Sequence, residues 1–299
     1  MGIPFFPGEM GAWTSDMLIA QITDIHLGFE PDNPAEFNRK RLDRVLRTFE
    51  EMERRPDLII ASGDLVDRGD VDSYRRLRIA LDGCQIPVFP CLGNHDARAS
   101  FRRIFPDFEM PDGFLQYGLD AGPLRILVLD TLEEGRHGGG YCPARARWLK
   151  ERIADEPERP TVLVLHHPPV ETGIGWMTSL PDEHWIVRLR DALSGAHNIV
   201  GMLCGHIHRQ MTTIWEGRVL TVCASSAPQV ALDLSTIDAD RPDNRAMIVA
   251  DPPAFALHLW TGDRLVSHFD VAEDHVTLAR YDVRMQPLVA TLMAEGRGD

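Results

Sequence analysis

The chain has 299 residues, 44% of them hydrophobic and 25% charged, with a formal net charge of −14. That length can bury a large core in one big domain or in one domain with an appendage, and the composition is ordinary for a soluble globular protein. A negative body repels phosphate backbones at long range, which argues against a general nucleic-acid binder, and no apolar stretch approaches the roughly 20 residues that span a bilayer.

Residues 1–16 read as an N-terminal extension. They lack a basic segment followed by an apolar one, so no secretory signal is expected. Met1-Gly2 fails as a myristoylation site because position 6 is Phe. Residues 17–22 form a strand candidate that runs into Asp24. Residues 34–54 carry Leu42, Val45, Leu46 and Phe49 at helical spacing. A second apolar run, 57–61, ends at Ser62-Gly63-Asp64. Residues 70–81 read as a helix, and 86–92 as a third strand ending at Gly93-Asn94-His95-Asp96. Strands are predicted at 114–119 and 124–130, around the turn Ala121-Gly122-Pro123. Pro143 suits the first turn of a helix over 143–154. A strand at 161–165 ends at His166-His167, a helix covers 181–193, and a strand at 199–204 ends at Gly205-His206-Ile207-His208.

After that turn the pattern changes to short strands at 211–215, 218–223, 255–260, 264–269 and 275–281. Between them, 233–252 is polar and Pro-containing and reads as a long excursion. The fold class is α/β with a mainly antiparallel C-terminal part. A core over 17–232 is expected, with 233–299 completing the second sheet and contributing to an oligomer interface. The five cysteines, Cys84, Cys91, Cys142, Cys204 and Cys223, are odd in number and hold no CxxC pair. They read as reduced thiols of a cytoplasmic protein.

Five motifs therefore end apolar runs, and they supply seven side chains suited to two metal ions: Asp24, His26, Asp64, Asn94, His166, His206 and His208. Open α/β sheets place ligands at the carboxyl ends of their strands, so such loops converge on one cleft. Asp24 and His26 are two residues apart, as are His206 and His208; in an extended backbone each pair shares a face. Glycines 63, 93 and 205 fit close turns or close backbone approach. Carboxylate and imidazole ligands suit first-row divalent ions and zinc, and Asn94 adds a neutral oxygen. Two ions roughly 3.5–4 Å apart clamp the attacking and leaving oxygens of an in-line displacement and lower the pKa of a water between them.

The ordered set D-x-H, G-D, G-N-H-D, H and G-H-x-H resembles the calcineurin-like metallophosphoesterase superfamily. Gly93-Asn94-His95-Asp96-Ala97-Arg98, His166-His167-Pro168-Pro169 and Gly205-His206-Ile207-His208-Arg209 resemble in particular the bacterial class III cyclic-nucleotide phosphodiesterases and their glycerophosphodiesterase relatives. The resemblance implies a four-layer αββα sandwich of two mixed sheets flanked by helices. It implies one metal on Asp24, His26, Asp64 and His208 and another on Asp64, Asn94, His166 and His206, with Asp64 bridging. It also implies that His95 contacts the phosphate beside Asn94, as charge stabiliser or proton donor. The ions are divalent or trivalent: Mn, Fe, Co or Zn.

The expected activity is hydrolysis of a small phosphodiester, a 3′,5′-cyclic nucleotide or a glycerophosphodiester, by in-line attack of a metal-bridging hydroxide. A nuclease or phosphomonoesterase on the same core is the nearer alternative, and a non-catalytic scaffold the further one. Acidity and the lack of a basic-aromatic tract count against a nuclease, and a scaffold has no need of all seven ligands plus His95. No nucleic-acid polymer or membrane partner is expected, and the chain is expected to form a homo-oligomer. His137, His184, His197, His258, His268 and His275 read as structural, as do Asp67 and Asp130. For His167, Asp96, Arg98, Trp176 and Met177 structural and functional roles both stand.

Overall fold

A computed structural model describes residues 16–296, so the expected extension lies outside the described residues except for Asp16. In chain order the first half holds β1 Met17–Ile22, α1 Phe37–Glu51, β2 Leu58–Ser62, α2 Val71–Asp82, β3 Val88–Cys91, α3 Arg98–Ile104, β4 Tyr117–Ala121 and β5 Leu124–Leu129. Next come α4 Pro143–Asp155, β6 Thr161–Leu165, α5 His184–Ala192, β7 Ile199–Cys204, β8 Met211–Trp215 and β9 Arg218–Val222. The last stretch holds β10 Gln229–Val230, β11 Ile248–Val249, β12 Ala254–Trp260, β13 Leu265–Val271 and α6 Gln286–Glu295.

Two mixed sheets form, ordered β13-β12-β1-β2-β3 and β4-β5-β6-β7-β9-β8. Strands β1, β2 and β3 run parallel, as do β5, β6, β7 and β9. The late strands β8, β12 and β13 join antiparallel. Side chains alternate across each strand. Ile19, Leu58 and Ile60 therefore point inward, against Ile126, Val162 and Val164 of the other sheet. Their neighbours Ala20, Ile59 and Ala61 point outward, onto Leu42, Val45 and Phe49 of α1 and Tyr74 and Leu77 of α2. Leu127, Leu163 and Met202 likewise meet Leu149 of α4 and Ile186 and Leu189 of α5. The result is a four-layer αββα sandwich, and its inner strands are apolar throughout because both faces are covered.

A polar link at Gln21 crosses the sheets. The Gln21 amide donates to Ser62 Oγ at 2.8 Å and to the Cys204 carbonyl at 2.9 Å. His258 lies 3.0 Å from Gln21 Oε1 and 2.7 Å from Ser267 Oγ; burial, with His268 nearby, pushes it down to about 3, which fits its structural reading.

Two expectations change. Residues 275–281 form no strand, and Val276 and Leu278 are 85% and 94% exposed, so their alternation buries no face. The strand expected at 114–119 begins only at Tyr117, after a 3₁₀ turn at Pro111–Gly113. Within 233–299, β12 and β13 add to the sheet of β1. Helix α3 has seven residues, too few to display a period. All five cysteines are free thiols, and among the described residues no helix is long and apolar enough to cross a membrane.

Strand β12 lies between β1 and β13. Phe255 packs edge-on against Phe49 at 5.0 Å, and Trp260 is buried between the sheets. Truncation after Asp251 removes that neighbour and leaves β1 an open edge. It is expected to yield insoluble or unstable protein; a soluble, fully active truncated chain would contradict this packing.

Candidate metal centre

All five motifs sit at the carboxyl ends of β1, β2, β3, β6 and β7. Backbone hydrogen bonds stitch the turns together: Asp24 N to the Gly63 carbonyl at 3.0 Å, Ile25 N to the Asp64 carbonyl at 2.8 Å, and Gly205 N to the His166 carbonyl at 3.0 Å. Convergence does not come from strand alternation, as the spacing of Asp24/His26 and His206/His208 suggests. Those four residues and Asp64 all have positive φ, from 46° to 76°. Non-glycine residues in this left-handed region cost about 1–2 kcal/mol each, and such strain collects at functional sites. Gly93 is required for another reason. A Cβ there would stand 2.3 Å from Asp64 Oδ1 and 2.7 Å from His166 Nε2.

The structure brings all seven candidate ligands together. The ligand atoms of Asp24, His26, Asp64 and His208 lie within 4.8 Å of one another. His208 Nε2 is 3.3 Å from Asp24 Oδ1 and 3.1 Å from His26 Nε2. Asp64 stands between two groups, its Oδ2 being 3.6 Å from His26 Nε2 and 3.3 Å from His166 Nε2. His206 Nδ1 faces Asn94 Oδ1 at 2.9 Å. Three of the histidines share one arrangement. Nδ1 of His166 donates to the Ser62 carbonyl at 2.9 Å, that of His208 to the Pro228 carbonyl at 2.8 Å, and that of His26 to Asp67 Oδ1 at 3.2 Å. Such anchors fix the tautomer and leave Nε2 as the free ligand atom.

The electrostatics ask for a cation. Asp24 and Asp64 are fully buried or nearly so, and their charged neighbours within ion-pair distance among the described residues are histidines alone, with no Lys or Arg. Burial opposes ionisation of Asp64, yet His166, His26 and His95 hold it well below the usual carboxylate range. Burial likewise opposes charge on His166, yet Asp64 and Asp24 push it up to about 9. Burial pushes His206 down to about 3, helped by His166, and lowers His208. His166 Nε2 is buried with no hydrogen-bond partner, although a carboxylate oxygen lies 3.3 Å away. With Nδ1 on the Ser62 carbonyl, Nε2 is the atom that carries a proton toward Asp64 or yields that place to a metal ion. Carboxylate, imidazole and amide oxygen are the matching donors.

Surrounding residues hold these groups. Asp67, expected to be only a loop carboxylate, orients His26, and its carbonyl accepts from His95 Nδ1 at 2.8 Å. The sequence signal was there in the G-D-x-x-D spacing. His167 clusters with His166 and His206, but both its nitrogens are engaged, with Thr131 Oγ1 at 2.8 Å and the His137 carbonyl at 3.1 Å. It is a brace rather than a ligand. Asp96 holds the loop, accepting from the backbone of Gly93, Leu65 and Val66 and from the Tyr74 hydroxyl. Burial, with the Asp64 charge, pushes it up to about 6. Arg98 is structural too, bidentate to buried Asp130 at 2.8 Å. His137, expected to be structural, has Nδ1 3.3 Å from the Asn94 amide nitrogen.

The centre opens into a cleft of about 620 Å³ lined by His26, Asp64, Asn94, His95, His206 and His208 on one side. Trp176 and Met177 also line it, which resolves their place in favour of the cleft.

A family model described as calcineurin-like phosphoesterase matches residues 17–210. The chain is 30% identical over 258 residues to a probable glycerophosphodiester phosphodiesterase of Arcobacter nitrofigilis, covering 84% of this chain and 92% of that one. It is 28% identical to a 3′,5′-cyclic adenosine monophosphate phosphodiesterase of Escherichia coli, covering 77% and 84%. A dimetal phosphatase from Danio rerio shares the fold, with a TM-score of 0.61 at 13% identity over 86% of this chain and 97% of that one.

Asp64 reaches both groups of donors, whereas the Asn94 oxygen faces His206 of the second group. Asp64→Ala is therefore expected to lose tight metal binding at both positions, and Asn94→Ala mainly at one. Metal analysis on protein shown to be folded by circular dichroism checks this; two tightly bound ions retained in Asp64→Ala would reject it.

Proposed function

The chain belongs to the calcineurin-like phosphoesterase family, and from that premise we propose that it is a metal-dependent phosphodiesterase acting on small diesters. The substrate is a 3′,5′-cyclic nucleotide or a glycerophosphodiester, and two ions drawn from Mn, Fe, Co and Zn serve it. One ion is held by Asp24, His26, Asp64 and His208, the other by Asp64, Asn94, His166 and His206. The observation that carries this reading is the buried carboxylate and imidazole cluster opening onto the cleft. When bound, the ions supply Lewis acidity toward the phosphoryl oxygens and lower the pKa of water at the site.

The cleft supports a diester over the alternatives. Among the described residues lining it, none is Lys or Arg, while Asp64, Asp67 and Glu183 are acidic. A diester brings one negative charge, a monoester near neutral pH close to two, and a nucleic acid many. Without basic side chains the additional charge is unfavourable.

His95 acts on the leaving group. Its backbone N–H donates to Asp64 Oδ1 at 2.8 Å, and its Nδ1 donates to the Asp67 carbonyl at 2.8 Å. With Nδ1–H committed, Nε2 carries a proton only in the imidazolium form. Water attacks phosphorus in line and gives up one proton to solvent as the new P–O bond forms, the opposite P–O ester bond breaks, and its electron pair departs on the alkoxide. His95 then gives its Nε2 proton to that oxygen and becomes neutral.

We extend the proposal to a cytoplasmic homo-oligomer. Five free thiols support the compartment; fractionation with exported proteins would contradict it. Exposed Val276, Leu278 and Val283, with an α6 that buries none of its residues, support self-association. Light scattering is expected to give a mass above that of one 33.6 kDa chain, and a strictly monomeric mass would count against an oligomer.

A substrate panel with metal-reconstituted protein tests the activity: diesters are expected to turn over well ahead of monoesters and DNA. The His95 role has its own test. An alkoxide from ribose or glycerol is a strong base, whereas nitrophenolate departs unaided. His95→Ala is expected to slow alkyl diesters by ~10²–10⁴-fold and aryl diesters much less, with metal content near that of the wild type. Equal losses on both substrate types would point to charge stabilisation instead of proton donation.

A further inference from the structure

The cleft has two kinds of lining. Beside the histidines and carboxylates, an apolar wall is made by Phe29, Trp176, Met177, Pro228, Val230 and Ile248, and the Pro228 carbonyl adjoins the centre by accepting from His208 Nδ1. Phe29, Trp176 and Ile248 are 62%, 40% and 53% exposed. Large apolar side chains gathered beside a polar centre mark a surface that a ligand covers.

This wall is built rather than incidental. The Trp176 loop is closed on itself: Met177 N donates to the Ile174 carbonyl at 2.8 Å, Thr172 Oγ1 to the Met177 carbonyl at 2.9 Å, and Thr172 N to Thr178 Oγ1 at 2.9 Å. The excursion between β10 and β11 braces it from outside. Leu234 and Ile237 lie so close to Gly173 and Gly175 that a Cβ added at either glycine would meet them at 3.4 Å.

Two polar side chains near the wall are held by the protein itself. The Asn38 amide donates to the His26 carbonyl at 2.9 Å. Glu183 accepts from Leu180 N at 2.8 Å and from Trp185 Nε1 at 3.0 Å. A flat apolar surface finds an aromatic neighbour in Trp176.

Resting on the phosphodiesterase reading, we propose that this wall is a ring-binding subsite, and that the preferred diester carries a planar aromatic ring, a nucleobase or an aryl group, which packs against Trp176. Base–aromatic stacking is sequence-tolerant and strong enough to set KM. Trp176 then acts on binding of the ring-bearing arm and leaves the chemical step at phosphorus to the centre itself.

The test compares 3′,5′-cyclic AMP, bis(4-nitrophenyl) phosphate and glycerophosphocholine with metal-loaded wild type, Trp176→Ala and Trp176→Phe. Trp176→Ala is expected to raise KM for the ring-bearing diesters by about 5- to 150-fold, at least fivefold more than for glycerophosphocholine, with kcat changing far less. Trp176→Phe is expected to recover most of the loss. A loss for cyclic AMP assigns the ring to a nucleobase, and a loss confined to the nitrophenyl ester assigns it to an aryl group. Equal KM changes for all three substrates, or a fall in kcat alone, overturn the subsite while leaving the phosphodiesterase reading intact. Absence of any diester turnover by the wild type removes that reading and the subsite with it.

Discussion

Two carboxylates, Asp24 and Asp64, are buried side by side, and among the described residues no lysine or arginine answers them. Uncompensated, such a pair is very unfavourable, because desolvation penalises each charge and the like charges repel. The surrounding structure reads as the response. Histidines ring the pair, and three turn Nε2 toward it because their Nδ1 atoms are tied to Ser62, Pro228 and Asp67. Without a cation, protons on His26 and His166 answer the pair: burial opposes charge on both, yet Asp67, Asp64 and Asp24 raise His26, and Asp64 and Asp24 push His166 up to about 9, whereas burial lowers His206 and His208. Metal ions can replace those protons, so metal binding and proton release are linked at this centre.

Holding such a cluster also requires backbone strain. Five of the seven candidate ligands adopt positive φ, and glycine at 93 admits the Asp64 carboxylate where any side chain would collide. Strained turns persist only where their surroundings over-determine them. Here the strands before them are buried on both faces, and parallel pairing fixes their relative height. Gln21 ties β1 to β2 and across to the end of β7 directly beneath the site. The apolar sandwich and the polar centre are thus one device: the sheets set positions that the turns alone cannot hold.

Legibility in the sequence follows the same division. Asp24, His26, Asp64, Asn94, His166, His206 and His208 were readable because each motif interrupts an apolar run with ligand chemistry. The sandwich strands were readable because burial on both faces leaves continuous apolar stretches. The local geometry was not: two-residue spacing suggests extended backbone, whereas the left-handed turns at Asp24, His26, His206 and His208 arise from cross-loop hydrogen bonds that no local pattern encodes. Asp67 read as a structural carboxylate and His167 stayed open for a related reason. Their roles depend on partners at His26 and at Thr131 and His137, which only folding brings close. The apparent strand at 275–281 shows the converse: alternation is necessary for a half-buried strand, but Val276 and Leu278 bury against nothing and the pattern alone does not make one.

The wall around Trp176 lies beyond motif reading altogether. Catalytic groups of this kind must meet fixed distances to metal and phosphorus, so their residue types and spacings are narrow. A surface that packs against one arm of a substrate needs only shape and apolar area, which many sequences provide. The cleft reflects this asymmetry. Its floor comes from strand-end turns locked by the sheets, whereas its wall comes from the 172–178 loop and the β10–β11 ribbon, neither of which belongs to the two main sheets. Changes there can alter which diester is held without disturbing Asp24 or Asp64. Substrate preference can therefore drift among chains that share one centre, and in this chain Trp176 and the segment bracing it are the residues that decide it.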